Sequence, residues 1–311
     1  MRRVLVTGAT GFIGRHCLPL LAAKDYEVHA VAQRRPAAPT LSGISWHELD
    51  LLTPGSSSEL LRRLRPEYLL HLAWYAVPGE FWESSQNIEW VRASLELLPA
   101  FAKNGGRRVV AAGSCAEYEW SGGECKEDTT PLLPRTLYGT AKHAFERILH
   151  SWSRQAGLSS GWGRIFFMYG PYEHPLRLVA YVVRMLIQGR PALCSDGTQI
   201  RDFLHVEDVA SAFVALLESE VQGPVNIGSG APVAVRDLLL TIGRYLERPE
   251  LIYFGARNSS GEPAALWAHV GRLAKEVGWK PHYDREQGIQ RTIEWWRGSD
   301  ELEGAVTAQR K

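Results

Sequence analysis

Apolar and polar positions along the first half of the chain alternate between two periods. Short β-branched runs read as strands at Arg3–Thr7, Glu27–Ala32, Tyr68–Leu72 and Arg108–Ala112. Between them lie segments with helical spacing, around Ile13–Ala23, Glu59–Arg65 and roughly 84–103. Strand-helix-strand alternation predicts a parallel sheet covered by helices on both faces. Gly163–Phe167 predicts one more buried strand. After Gly170-Pro171 the elements shorten and Pro and Gly become more frequent, so a smaller second part is expected over 169–296. Residues 297–311 lack an apolar pattern and are expected to form a loose tail.

Composition limits the function classes. The chain has 311 residues, about two domains' worth. Lys and Arg number 35 against 34 Asp and Glu, so no charge excess points to nucleic acid or an anionic membrane. No apolar stretch approaches the roughly 20 residues that cross a bilayer. Met1-Arg2-Arg3 is followed by only three apolar residues before Gly8, Gly11 and Gly14, which does not read as a leader. The four cysteines lack CxxC spacing, which fits a cytoplasmic protein better than a disulfide framework or a metal site. Eleven tryptophans are the unusual entry.

The loop Thr7-Gly8-Ala9-Thr10-Gly11-Phe12-Ile13-Gly14 lies between the first strand and the first helix. Small residues there let the backbone approach a pyrophosphate at a helix N-terminus, so the loop predicts dinucleotide binding. The second strand ends Ala32-Gln33-Arg34-Arg35, with two guanidiniums and no carboxylate. Arg34 and Arg35 therefore point to the 2′-phosphate of NADP(H) rather than the 2′-hydroxyl of NAD. Asp50 and Leu51 follow a further strand expected between Glu27–Ala32 and Tyr68–Leu72, and Asp50 reads equally as an adenine-side contact or a turn residue. Tyr138 and Lys142 stand at i and i+4, on one helical face, where a nearby ammonium can bring a phenol toward working pH. Such a pair alone is ordinary surface chemistry; downstream of the glycine loop it becomes a candidate acid.

With Ser114 in Gly113-Ser114-Cys115-Ala116-Glu117-Tyr118 and the run Arg201-Asp202-Phe203-Leu204-His205-Val206-Glu207-Asp208, the chain resembles the extended short-chain dehydrogenase/reductases that act on nucleotide sugars. Tyr169-Gly170-Pro171 and Gly278-Trp279-Lys280-Pro281 add to the match, which extends to about residue 296. The resemblance implies a Rossmann-type doubly wound α/β domain over 1–168, rejoined by part of 203–230, and a smaller α/β nucleotide-sugar domain over 169–296. It implies Ser114, Tyr138 and Lys142 as the catalytic set, with Leu72 and Ala73 beside the cofactor. Cys115, Phe167, Arg201 and, more weakly, Arg257 are implied on the substrate side, and a homodimer is the implied assembly. Trp74, Trp82, Trp90 and Trp120 fall on the cleft side in that layout.

Departures from the family pattern narrow the reaction. Dehydratases carry an Asp-Glu pair where this chain has Cys115 and Ala116, so elimination is not expected. Glu117 should face away by strand alternation. Cys115 reads as a small core residue and His174 as a surface or capping residue. Phe167 replaces a common Asn and suits a less polar sugar. The expectation is an NADPH-dependent 4-ketoreductase acting on a nucleoside-diphosphate 4-keto-6-deoxyhexose, without a metal. An epimerase that retains its cofactor and a non-catalytic NADP sensor are the alternatives.

Overall fold

The computed structural model describes residues 2–35, 42–120, 122–258 and 261–308, with 300–308 as backbone only. Strands β1 (Arg2–Thr7), β2 (Tyr26–Ala32), β3 (Ile44–Glu48), β4 (Tyr68–His71) and β5 (Arg108–Ser114) alternate with helices α1 (Gly14–Ala22), α2 (Ser56–Leu64), α3 (Gln86–Lys103) and α4 (Leu137–Ala156). These strands, with Ser159–Ile165 and Gly223–Ile227, form a seven-stranded sheet in the order β3-β2-β1-β4-β5-(159–165)-(223–227). Every pairing in it is parallel. This is the Rossmann-type order, with helices burying both faces. The two cores fall on opposite faces: Val4, Val6, Val28 and Ala30 pack with Cys17, Leu21 and Phe213. Leu5, Leu69, Val109 and Ala111 pack with Leu97, Phe101 and Phe145. Strand alternation in β1 thus sends successive side chains to different cores.

The strand expected over 163–167 breaks. Its first part ends at Ile165, where Phe166 N–H still reaches Ile227 O (3.0 Å). Phe167 N–H turns instead to Asp202 O (3.1 Å), and Phe167–Tyr169 pairs with Phe203–His205. The chain leaves the large sheet there and carries Phe167 toward the second part.

A smaller sheet has the order (233–234)-(200–201)-(265–268)-(123–125). Gly123–Cys125, from before the expected boundary at 168/169, joins the small sheet, and Gly223–Ile227, within the 203–230 segment, pairs in the large one. The tail expected to be loose is helical as far as Ala308, continuing the helix that begins at Arg285. No helix among the described residues is long and apolar enough to cross a membrane.

Candidate active site

In the large sheet the strand order reverses between β1 and β4, and ligands of such sheets bind outside the carboxyl ends at that point. Four of the predicted segments meet there. The glycine loop follows β1, Arg34 and Arg35 follow β2, Leu72-Ala73-Trp74 follows β4, and Ser114 ends β5.

The glycine loop fits a dinucleotide for steric reasons. Gly8 has φ +67°, and a Cβ there would lie 2.7 Å from Ala73 N and 2.8 Å from Leu72 C. A Cβ on Gly14 would lie 2.2 Å from Gly8 O, and one on Gly11 3.0 Å from the same oxygen. Those three positions keep the loop folded onto the end of β4 and α1 tight against the loop. Arg15 pins it by donating from Nη2 to Thr10 O (2.7 Å). Phe12 and Ile13 lead into α1, whose first turn has no side-chain cap, which leaves backbone donors for an anion. Thr7 Oγ1 shares a hydrogen bond with His71 Nδ1 (2.7 Å) and accepts from Ala73 N–H (3.3 Å), tying β1 to β4.

Arg34 and Arg35 are exposed beyond β2, as a phosphate site requires. A carboxylate that sequence reading missed is close by: Glu48, at the end of β3, accepts from Arg35 N–H at 3.5 Å. The register of β2 with β3, Ala32 opposite Glu48, places it there. Asp50 is an exposed turn residue whose Oδ1 accepts Leu52 N–H (2.9 Å), and Leu51 is buried beside it.

Ser114 caps a short 3₁₀ turn, Cys115–Glu117, that replaces the continued strand expected from the sequence. Its Oγ accepts Ala116 N–H at 3.2 Å, and its own N–H donates to Glu117 Oε1 at 2.7 Å. Glu117 does face away from the cleft, as expected, but because the chain turns rather than because a strand alternates. It is fully buried and accepts from Arg164 Nε (2.8 Å) and Trp162 Nε1 (3.0 and 3.1 Å). Arg164 also donates to Tyr118 Oη (3.2 Å), which donates to Asn226 (2.7 Å). Burial pushes the Cys115 thiol far up, so it stays protonated, packed with Tyr118, Cys125 and Phe166.

Thr136 caps α4 by accepting Gly139 N–H (3.1 Å), which orients the turn carrying Tyr138. Tyr138 N–H donates to Trp82 O (2.9 Å), and the rings of Phe81 and Trp82 meet the phenol edge-on at 4.8 and 5.8 Å. Trp82 also meets Trp120 edge-on at 6.2 Å. Burial pushes the Tyr138 phenol up to about 12, while a hydrogen bond with Ser114 and the charge of Arg177 pull it down. Arg177 lies over Phe81 at 5.3 Å. No sequence pattern singled it out.

Lys142 is 3% exposed. Its Nζ donates to Ala112 O (2.8 Å) and sits 3.8 Å from the centroid of Trp74 and 5.9 Å from that of Tyr138. Burial lowers it to about 7, against the opposing field of Glu117.

Of the residues expected to meet the substrate, Arg201 is buried over Phe167 (5.3 Å) and paired with Glu262 (3.0 Å), a partner the sequence did not indicate. Asp202 and Asp208 in the same motif hold backbone: Asp202 accepts from Ser229, Gly230 and Ala268, and Asp208 from His282 and Tyr283. Arg257 stands apart from the Ser114–Lys142 group, exposed over Tyr181 (4.6 Å) and lining an open hollow with Asp196 and Gly255. His174 caps an exposed turn through Leu176 N–H (3.2 Å). Among the described residues no group of three or more metal-ligating side chains converges.

The model of the NAD dependent epimerase/dehydratase family matches residues 4–228, which span the glycine loop, Ser114, Tyr138 and Lys142. The chain belongs to that family. Among solved structures it is similar to MoeE5 in complex with UDP-glucuronic acid and NAD, at 31% identity and a TM-score of 0.83, over 96% of this chain and 99% of that one. It is 29% identical to a UDP-glucose 4-epimerase of Azospirillum brasilense, over 98% of this chain and 95% of the relative. A CDP-abequose synthase of Salmonella typhimurium is 26% identical over 93% and 97%. Membership makes the protein an enzyme of the nucleotide-sugar epimerase/dehydratase type.

Proposed function

We propose that the chain is an NADPH-dependent 4-ketoreductase for a nucleoside-diphosphate 4-keto-6-deoxyhexose. The observation that carries the reading is the state of the Ser114 turn. Its one carboxylate, Glu117, is locked by Arg164, Trp162 and the Ser114 amide, and Cys115 and Ala116 cannot relay protons. Elimination needs an acid and a base at neighbouring carbons, whereas Tyr138 and Ser114 serve a single oxygen. Chemistry at C4 is what the turn allows. Arg34 and Arg35 support NADP(H), the usual donor for a net reduction. Phe167, Trp82 and Trp120 support a sugar with an apolar C6.

When bound, the nicotinamide supplies the hydride for C4. Tyr138 then gives its proton to O4, and Ser114 hydrogen-bonds the same oxygen as charge develops. The Lys142 ammonium favours the phenolate that Tyr138 becomes and holds the nicotinamide ribose. Arg201 takes the sugar's diphosphate in exchange for Glu262. The test is NADPH consumption, followed by absorbance, with nucleotide-linked 4-keto-6-deoxy sugars. Turnover with one nucleotide form is expected, and no consumption with any form contradicts the proposal.

A second reading, a redox-neutral 4-epimerase that keeps its cofactor, is favoured by Glu48. Its carboxylate beside Arg35 can accept from a ribose 2′-hydroxyl, as an NAD site would. That reading predicts cofactor that copurifies with the protein and sugar interconversion without added NADPH.

A further inference from the structure

Lys142 poses a problem that its sequence neighbours do not solve. Its amine is buried, and no ion pair to it is formed among the described residues. A buried cation normally loses its proton or acquires a carboxylate partner. The groups facing it are few. From β4 comes His71, held neutral by burial at about 3 and bonded at both ring nitrogens to Thr7 and Ser94. From the turn after β5 comes Glu117, whose charge favours the ammonium but is already spent on Arg164 and Trp162. From its own helix comes the uncharged Tyr138 ring. The nearest group is the face of Trp74, at 3.8 Å.

That indole is held firmly. Its Nε1 donates to Asn87 Oδ1 (2.9 Å), and the ring stacks on Trp90 at 6.4 Å and lies against Phe145 at 6.3 Å. Asn87 is fully buried and donates from Nδ2 to Phe81 O (2.7 Å) and Ser84 O (2.9 Å). The same amide thus fixes Trp74 under Lys142 and anchors the segment whose Phe81 and Trp82 rings press on Tyr138. Trp faces attract cations more strongly than other aromatic faces, and more so in a dry site.

We propose that Trp74 is a positioning residue that keeps Lys142 charged and aimed at the cofactor ribose, through a cation–π seat clamped by Asn87. The proposal rests on Lys142 being the ribose anchor, not on which sugar is reduced. An aromatic seat leaves the ammonium's hydrogens unsaturated, so two of them stay available for hydroxyl acceptors while the charge is stabilised from below. A carboxylate in the same place would hold Lys142 back from its ligand.

The test compares Trp74→Leu and Trp74→Phe with the unmodified protein by two readouts. The first is the ¹⁵N shift of Lys142 Nζ against pH in the protein without cofactor. The second is the pH dependence of NADPH and NADH affinity by fluorescence titration. Trp74→Leu is expected to lower the Lys142 pKa by about one unit, the size of a desolvated cation–π contact. Since binding uses the charged form, the loss of affinity at high pH should begin about one unit lower. Trp74→Phe, which keeps a ring but loses the hydrogen bond to Asn87, should show a smaller drop than Trp74→Leu. Coincident titrations for Trp74→Leu and the unmodified protein, or equal losses in the Leu and Phe variants at every pH, would overturn the proposal. Because neither readout uses a sugar, failure of the ketoreductase reading leaves this outcome unaffected.

Discussion

At the scale of single residues, Tyr138 carries the heaviest claim. Its phenol is pushed up to about 12 by burial against Phe81 and Trp82, so it is protonated at neutral pH, as the proposed proton donor of a reduction must be. Tyr138→Phe keeps the ring packing and removes the proton. Turnover should fall by about 10²–10⁴-fold while NADPH affinity changes less than about threefold, measured by steady-state kinetics and fluorescence titration. Glu173 supports a prediction about stability. This buried carboxyl accepts Ala180 N–H (3.2 Å), and burial raises it to about 8, with Arg177 pulling the other way. Its folded pKa lies above the unfolded one, so its contribution to stability is complete below about 4.5 and lost as pH rises through about 8. Glu173→Gln should therefore melt like the parent near pH 4.5 and be stabilised near pH 9, by on the order of a few kcal/mol, in thermal or urea unfolding. A destabilisation that grows with pH would contradict the assignment. Residues such as Glu173, Arg177 and Asn87 were invisible in the sequence, because their roles come from neighbours far along the chain.

At the scale of elements, the loop between β1 and α1 was legible because glycine spacing and a preceding strand encode a local shape. Gly14→Ala tests that shape. Its Cβ would meet backbone, Gly8 O at 2.2 Å and Ala9 Cα at 2.9 Å, and backbone cannot step aside as a side-chain tip can. NADPH affinity should drop at least about tenfold, a change of about 1.4 kcal/mol. Gly298→Ala, in a helix with open space at the Cβ, should leave affinity unchanged and is the matching control. The turn after Ser114 shows the opposite case. Strand alternation put Glu117 on the far face, and it is there, but a 3₁₀ turn capped by Ser114 is what turns it. Periodicity reads a strand's continuation and misses the Ser114 cap, and the partner that holds Glu117, Arg164, lies 47 residues on. The Gly163–Phe167 run misled for a related reason: five apolar-flanked residues look like one strand, although Phe167 N–H bonds to Asp202 rather than to the large sheet.

At the scale of the whole molecule, the alternation of strands and helices announced the seven-stranded parallel sheet, since local hydrophobic period and crossover handedness leave few topologies. The second part was less legible. Its strands are two to four residues long, too short for a period, and one of them, Gly123–Cys125, is supplied from before Tyr138. Threading of the two parts brings Phe167 and Arg201 toward the turn that carries Ser114, as the proposed reading of one shared cleft requires. The central claim is a net reduction at C4 by that cleft. It is tested most directly with NADPH deuterated at the transferable position and a nucleoside-diphosphate 4-keto-6-deoxyhexose. The account predicts one deuterium at C4 of the product for each NADPH consumed, with a single configuration at that carbon. Interconversion of the two C4 configurations with no net NADPH consumption, or no reaction with any nucleotide form, would contradict it.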